Sequence, residues 1–154
     1  MRIIAILAGA AMAASAFLNW VSMPFAGGFT PYDALRPALG PDAPLEVLLY
    51  AGTFALGGLA GLVALLSTPS RLLNFIAGAA PFALVVWNQM QAQDALDQVG
   101  LSLWDFSDGI GAAMNRMMEF VDIGFYAYWG GAVLLLIAAL AGGGGRRYRR
   151  DDAI

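Results

Sequence analysis

Residues 47–70 read VLLYAGTFALGGLAGLVALLSTPS and contain no charged side chain. A membrane-spanning helix needs about 20 mostly apolar residues to cross the hydrocarbon core of a bilayer. Three more uncharged runs of sufficient length lie on either side, at 3–32, 72–93 and 123–145. A buried helix of a soluble protein could imitate one such run. Four of them in one short chain predict an integral membrane protein.

The composition of the whole chain leads to the same class. Of 154 residues, 60% are hydrophobic and 12% are charged, and the mean hydropathy is +0.69. An average soluble domain carries about 25% charged residues, so this chain lacks the charge to cover a soluble surface. Intrinsic disorder is excluded as well, because it requires low hydrophobicity and high net charge.

We therefore predict an all-α fold, an integral membrane four-helix bundle that forms a single transmembrane domain over residues 1–154. The four spans are placed at 3–22, 46–67, 71–92 and 122–142. Two long loops, 23–45 and 93–121, and a tail, 143–154, make up the rest.

The arginines predict the orientation of the bundle. Nine of the eleven acidic residues lie in the two long loops or at their borders. Six of the eight arginines lie on the other side: Arg2, Arg71, Arg146, Arg147, Arg149 and Arg150. Because basic residues are retained on the cytoplasmic side, we expect both termini to be cytoplasmic (N-in/C-in) and both loops to face outward. The expected location is a bacterial inner (plasma) membrane.

The first span has an alternative interpretation. Residues 1–16 resemble a signal peptide, with Ala14-Ser15-Ala16 as a cleavage site. We favour a retained span, because the segment carries a single arginine and the apolar run continues past Ala16.

Both loops contain helix signals. Thr30-Pro31-Tyr32-Asp33 predicts a short helix with Thr30 as its N-cap and Pro31 in its first turn. The third span is expected to continue as a helix towards Gly100. Apolar residues recur at helical spacing over 107–121, SDGIGAAMNRMMEFV, which predicts an outer-side amphipathic helix.

Several residues are candidates for contact with a partner or a lipid. Gly57-x-x-x-Gly61 either holds the bundle together or presents a face to another subunit. The methionines of the amphipathic helix either pack on the spans or form an adaptable contact surface. The full candidate set is Trp87, Trp104, Met114, Met117, Met118, Gly57 and Gly61.

The missing residue types exclude several kinds of chemistry. The chain has no histidine, cysteine or lysine, which excludes zinc sites built from Cys and His, disulfides and Schiff-base catalysis. Beyond the first residue of each span there is no Asp, Glu, Lys or Arg at membrane depth, which argues against a pump or coupled transporter. We predict no catalytic residue, metal ligand or cofactor.

The leading hypothesis is a non-catalytic accessory, assembly or scaffold subunit of a membrane-protein complex, with the bilayer and other subunits as partners and no nucleic acid. The alternative is a protein that binds or passes an apolar molecule, such as a lipid or quinone, between spans near Trp87 and Trp104. An enzyme is the third hypothesis, and it would depend on Asp105, Asp108, Arg116 and Glu119 in the second loop.

The predicted span count and topology resemble those of small four-span membrane proteins such as the claudin group. The chain has no cysteine, however, and its first loop lacks the Trp-Gly-Leu-Trp pattern of the claudins. We therefore transfer no residue roles and assign no family.

Overall fold

Four long helices make up most of the protein. The computed structural model describes residues 1–23, 27–98 and 118–141. A short helix, α2 (Pro31–Leu35), lies between the first and second long helices. The long helices are α1 (Arg2–Ala14), α3 (Leu45–Leu66), α4 (Arg71–Asp97) and α5 (Ile123–Ala141).

Three of these helices are long and apolar enough to cross a membrane: α3, α5 and residues 71–94 of α4. The chain therefore has the helices of a multi-pass membrane protein. The first helix is shorter, because α1 and the 3-10 turn that follows it cover only Arg2–Phe17. The predicted span extended to residue 22. The helix ends earlier because Leu18 takes an extended backbone conformation and a β-strand begins at Val21.

The long helices pack side by side in the circular order α1, α3, α4, α5. Small residues allow this close packing. A Cβ atom built on Gly9 of α1 would lie 2.5 Å from the Gly57 carbonyl oxygen and 2.6 Å from the Gly61 nitrogen, both on α3. Helices α5 and α1 are equally close, because a Cβ atom built on Gly131 of α5 would lie 2.7 Å from the Ala8 carbonyl oxygen of α1. The core between the helices is correspondingly rich in alanine: Ala5, Ala8, Ala60, Ala64, Ala77 and Ala132 are buried, with Met12 and Leu135.

A small β-structure joins the two loops. Strands β1 (Val21–Met23) and β2 (Gly27–Phe29) pair antiparallel, with Ser22 opposite Gly28. On the other edge of β1, Val21 forms a bridge with Val121, and the Ser22 N–H donates to the Phe120 carbonyl at 2.9 Å. The described fold is mostly helical, as predicted, and this ribbon is an element that the prediction did not include.

Two of the three helical features predicted for the loops are observed, and the third lies mostly outside the described residues. Thr30 caps α2, as expected, by accepting a hydrogen bond from the Asp33 N–H. Helix α4 continues past Trp87 to Asp97, which confirms its predicted extension. Most of the amphipathic helix predicted at 107–121 falls in 99–117, outside the described residues. Of its described end, Met118 is helical whereas Val121 lies in the β-bridge.

Candidate functional site

One end of the bundle carries Arg2 and the turn between α3 and α4, and we call it the terminal end. The Arg2 guanidinium donates to the carbonyl oxygens of Ala64 (2.8 Å) and Leu65 (2.6 Å) in the last turn of α3. These carbonyls have no partner within their own helix, and a cation there also complements the helix dipole. Arg71 begins α4 at the same end. The other predicted anchors, Arg146, Arg147, Arg149 and Arg150, lie outside the described residues.

The opposite end, the loop end, is held together by aromatic side chains around Trp20. The ring centroid of Trp20 lies 5.0 Å from that of Tyr128, 5.7 Å from Phe125 and 6.1 Å from Phe54. The Trp20 indole N–H donates to the Ser15 carbonyl at 2.9 Å. The Tyr128 and Thr53 hydroxyls are hydrogen-bonded at 2.7 Å. This aromatic cluster joins the end of α1 to α3 and α5.

A charged residue fixes the start of α5 at the loop end. Ser22 donates its hydroxyl hydrogen to the Asp122 carboxylate at 2.5 Å, and the Ile123 N–H donates to the other carboxylate oxygen at 2.7 Å. Both bonds favour the ionised form, so the Ser22 hydroxyl first, and the Ile123 N–H second, hold the pKa of Asp122 below its ordinary value of 3.8.

This hydrogen bonding predicts a pH-dependent stability. Because the pKa of Asp122 is lowered on folding, its contribution is present above the ordinary pKa and is lost as the pH falls through the lowered value. We expect the thermal midpoint of the detergent-solubilised protein to fall more steeply below pH 4 in the wild type than in Ser22→Ala or Asp122→Asn. Parallel pH curves for all three proteins would contradict this assignment.

The candidate residues from the sequence fall in different places. Gly57 and Gly61 are buried, and both lie against α1, so in the described structure this pair packs the protein's own helices. Trp87 is 52% exposed on α4, and Met118 is 56% exposed at the border of the second loop. Trp104, Met114 and Met117 lie outside the described residues.

Of the three helices long enough to span a membrane, α4 is the least buried: 22% of its span is buried, compared with 33% for α3 and 39% for α5. Its 27 residues correspond to a length of about 40 Å at 1.5 Å per residue, roughly 10 Å more than a hydrocarbon core. Residues 89–94, in its polar outer part, are all exposed. The exposed large apolar side chains of α4 are Leu72, Phe75, Ile76, Phe82, Val85, Val86, Trp87 and Met90.

A second surface feature is an apolar groove between α1 and α3. Its middle part has a volume of about 590 Å³, with Ala13, Ala55 and Gly58 among its lining residues. A depression of about 310 Å³ continues it towards the terminal end, where Ile6 and Leu65 line it. At the loop end, a pocket of about 260 Å³ lies between the top of α3 and the first loop. We call these three neighbouring depressions, which share lining residues, the apolar track.

Among the described residues, two buried polar side-chain atoms lack a hydrogen-bond partner. They are the Asn74 side-chain oxygen on α4, in a residue only 2% exposed, and the Trp129 indole nitrogen on α5. Each such atom costs about 1–3 kcal/mol when it is removed from water.

No group of three Asp or Glu side chains within the described residues is placed to hold a metal ion. Glu119 is exposed, and the other residues of the enzyme hypothesis, Asp105, Asp108 and Arg116, lie outside the described part of the chain.

The ribbon and the apolar track are two features that the sequence did not predict. The ribbon involves three-residue strands containing Gly27 and Gly28, which carry almost no strand signal. The track is lined by alanines and glycines that also occur on every other face of α1 and α3. Only the relative rotation of the two helices determines which of these residues remain uncovered.

Comparisons with models of protein families, with curated proteins and with solved structures gave no match to this chain.

Proposed function

We propose that this protein is a non-catalytic accessory, assembly or scaffold subunit of a membrane-protein complex in a bacterial inner membrane. In this proposal α4 is the docking helix, and another membrane protein covers its exposed face. The supporting observation is that α4 is the longest helix and its span is the least buried of the three. Isolated helical segments are marginally stable in water, so the exposed turns beyond Trp87 would gain stability from a partner.

The proposed orientation places both termini in the cytoplasm. Arg2 and Arg71 lie at the terminal end, while Asp33, Glu46 and Asp122 belong to the segments of the loop end. Retention of basic residues on the cytoplasmic side supports this orientation. It would direct the outer part of α4 away from the cytoplasm, towards the extracytoplasmic domain of a partner.

Site-specific photo-cross-linking in intact cells tests the docking role. We expect a photoreactive benzoylphenylalanine at Trp87 or Phe82 to give the same adduct, of one discrete mass, with another membrane protein. The matched control is Ile137 on α5, which is 46% exposed compared with 52% for Trp87, and it should give no such adduct. The adduct partner should also co-purify with the unmodified protein in mild detergent.

Two outcomes would overturn the proposal. One is lipid adducts alone from both α4 positions at native expression levels. The other is the same protein adducts from α4 and from Ile137, since contact would then be random diffusion rather than docking.

The alternative function, binding of an apolar molecule, was expected near Trp87 and Trp104. Trp87 is not among the lining residues of the apolar track, and Trp104 lies outside the described residues. The track provides a different location for such a ligand.

A further inference from the structure

We propose that the apolar track binds one hydrocarbon chain of an electrically neutral lipid, with the lipid head at the loop end. This inference is independent of docking through α4, because the track lies between α1 and α3.

The first argument is continuity. The depression near the terminal end and the middle groove share Ala13, Gly58 and Leu62 as lining residues. The middle groove and the loop-end pocket share Phe54. From Tyr50 to Leu65 the track follows 16 residues of α3, a length of about 22 Å. A single extended chain can therefore lie along it at membrane depth.

The second argument is the shape of the loop-end pocket. Residues of the first loop, among them Phe29, Pro31 and Leu35, form one side of this pocket, and Tyr50 and Phe54 of α3 form the other. A transmembrane helix with its side chains is about 10–12 Å across, too wide for a cavity of about 260 Å³. A hydrocarbon chain fits there, so the full track suits a chain better than a partner helix.

The third argument is charge. Asp33 lies on α2 between the lining residues Pro31 and Ala34, and Glu46 lies one helical turn before the lining residue Tyr50. The loop segment 27–46 contains these two carboxylates, the Asp42 carboxylate and a single basic residue, Arg36. Its formal charge is therefore negative. A phosphate head would be repelled by this surface. A neutral head would not.

Photolabelling of the purified full-length protein in phosphatidylcholine vesicles tests the proposal. The probe is a diacylglycerol with a diazirine on one acyl chain, and its counterpart is a phosphatidylglycerol with the same chain. We expect the neutral probe to label α1 and α3 peptides, and Ala55→Phe, which fills the middle groove, to lower that labelling by about fivefold or more. Ala83→Phe is the matched control, an exposed alanine on α4 outside the track, and it should leave the labelling unchanged.

Unchanged thermal midpoints will show that the variants are folded. Equal labelling of wild type and Ala55→Phe would overturn the proposal, as would equal or stronger labelling by the anionic probe. A protein adduct at this face, whether a second copy of the chain or another protein, would overturn it too, because the track would then be an interface.

Discussion

Gly9→Ala is expected to cause the largest loss of stability among the helix-packing variants. The new methyl group would lie 2.5 Å from the Gly57 carbonyl oxygen and 2.7 Å from the Gly61 Cα. These are backbone atoms, so no side-chain rotation can relieve the contact, and α1 must move away from α3. Overpacking of this kind costs about 1–3 kcal/mol, occasionally more, and we expect the upper part of that range. Thermal unfolding or steric trapping in micelles measures the difference.

Gly130→Ala on α5 is the matched control, because a Cβ there would meet no atom within 4 Å. Alanine is a better helix former than glycine by about 1 kcal/mol, so the control should be neutral or slightly more stable than the wild type. If Gly9→Ala behaved like Gly130→Ala, the close packing of α1 on α3 would be incorrect.

Trp20→Ala is expected to cause a loss of stability of similar size at the loop end. The substitution removes the ring contacts of Trp20 with Phe54, Phe125 and Tyr128. It also removes the hydrogen bond from the indole N–H to the Ser15 carbonyl. Truncation of a buried Trp to Ala costs about 3–5 kcal/mol. Trp20 is only partly buried, so we expect the lower end, about 3 kcal/mol. The same unfolding measurement applies, and near-ultraviolet circular dichroism should show loss of the ordered aromatic signal.

Trp87→Ala is the control for this variant. Trp87 is 52% exposed, and substitutions at such surface positions change stability by about 0.5 kcal/mol or less. Equal losses for the two tryptophans would show that Trp20 is not the centre of the loop-end cluster. A strong effect of Trp87→Ala on co-purification, without one on stability, is the pattern expected of a docking residue.

Local hydrophobicity predicted the helix positions well. The second and fourth spans were placed at 46–67 and 122–142, and helices are observed at Leu45–Leu66 and Ile123–Ala141. These boundaries depend on where charged and turn residues interrupt an apolar run, which is visible within a few residues of sequence. The N-cap at Thr30 was predictable for the same reason, since it depends on Pro31 and Asp33 nearby.

Contacts between distant segments were not predictable in this way. The first helix ends before Leu18 because β1 pairs with Phe120 and Val121, about a hundred residues further along the chain. The sequence also did not predict which glycines of α3 would be covered by α1. Gly57 and Gly61 are buried against α1, while neighbouring Gly58 lines the apolar track. The sequence alone does not distinguish these glycines, because the packing angle of α1 on α3 decides which one is covered.

The pairing of the two loops has a consequence for biogenesis. Ser22 and Asp122 are separated by 100 positions, whereas α3 and α4 are joined by a short turn and can pack as soon as both have been synthesised. Contacts between distant segments form late, because a long loop must close first. The bridge from β1 to Val121 and the contacts of Trp20 with Phe125 and Tyr128 can therefore form only after the start of α5 has been synthesised. Until then one edge of β1 and one side of Trp20 lack their partners, so the loop end is the last part of the bundle to be completed.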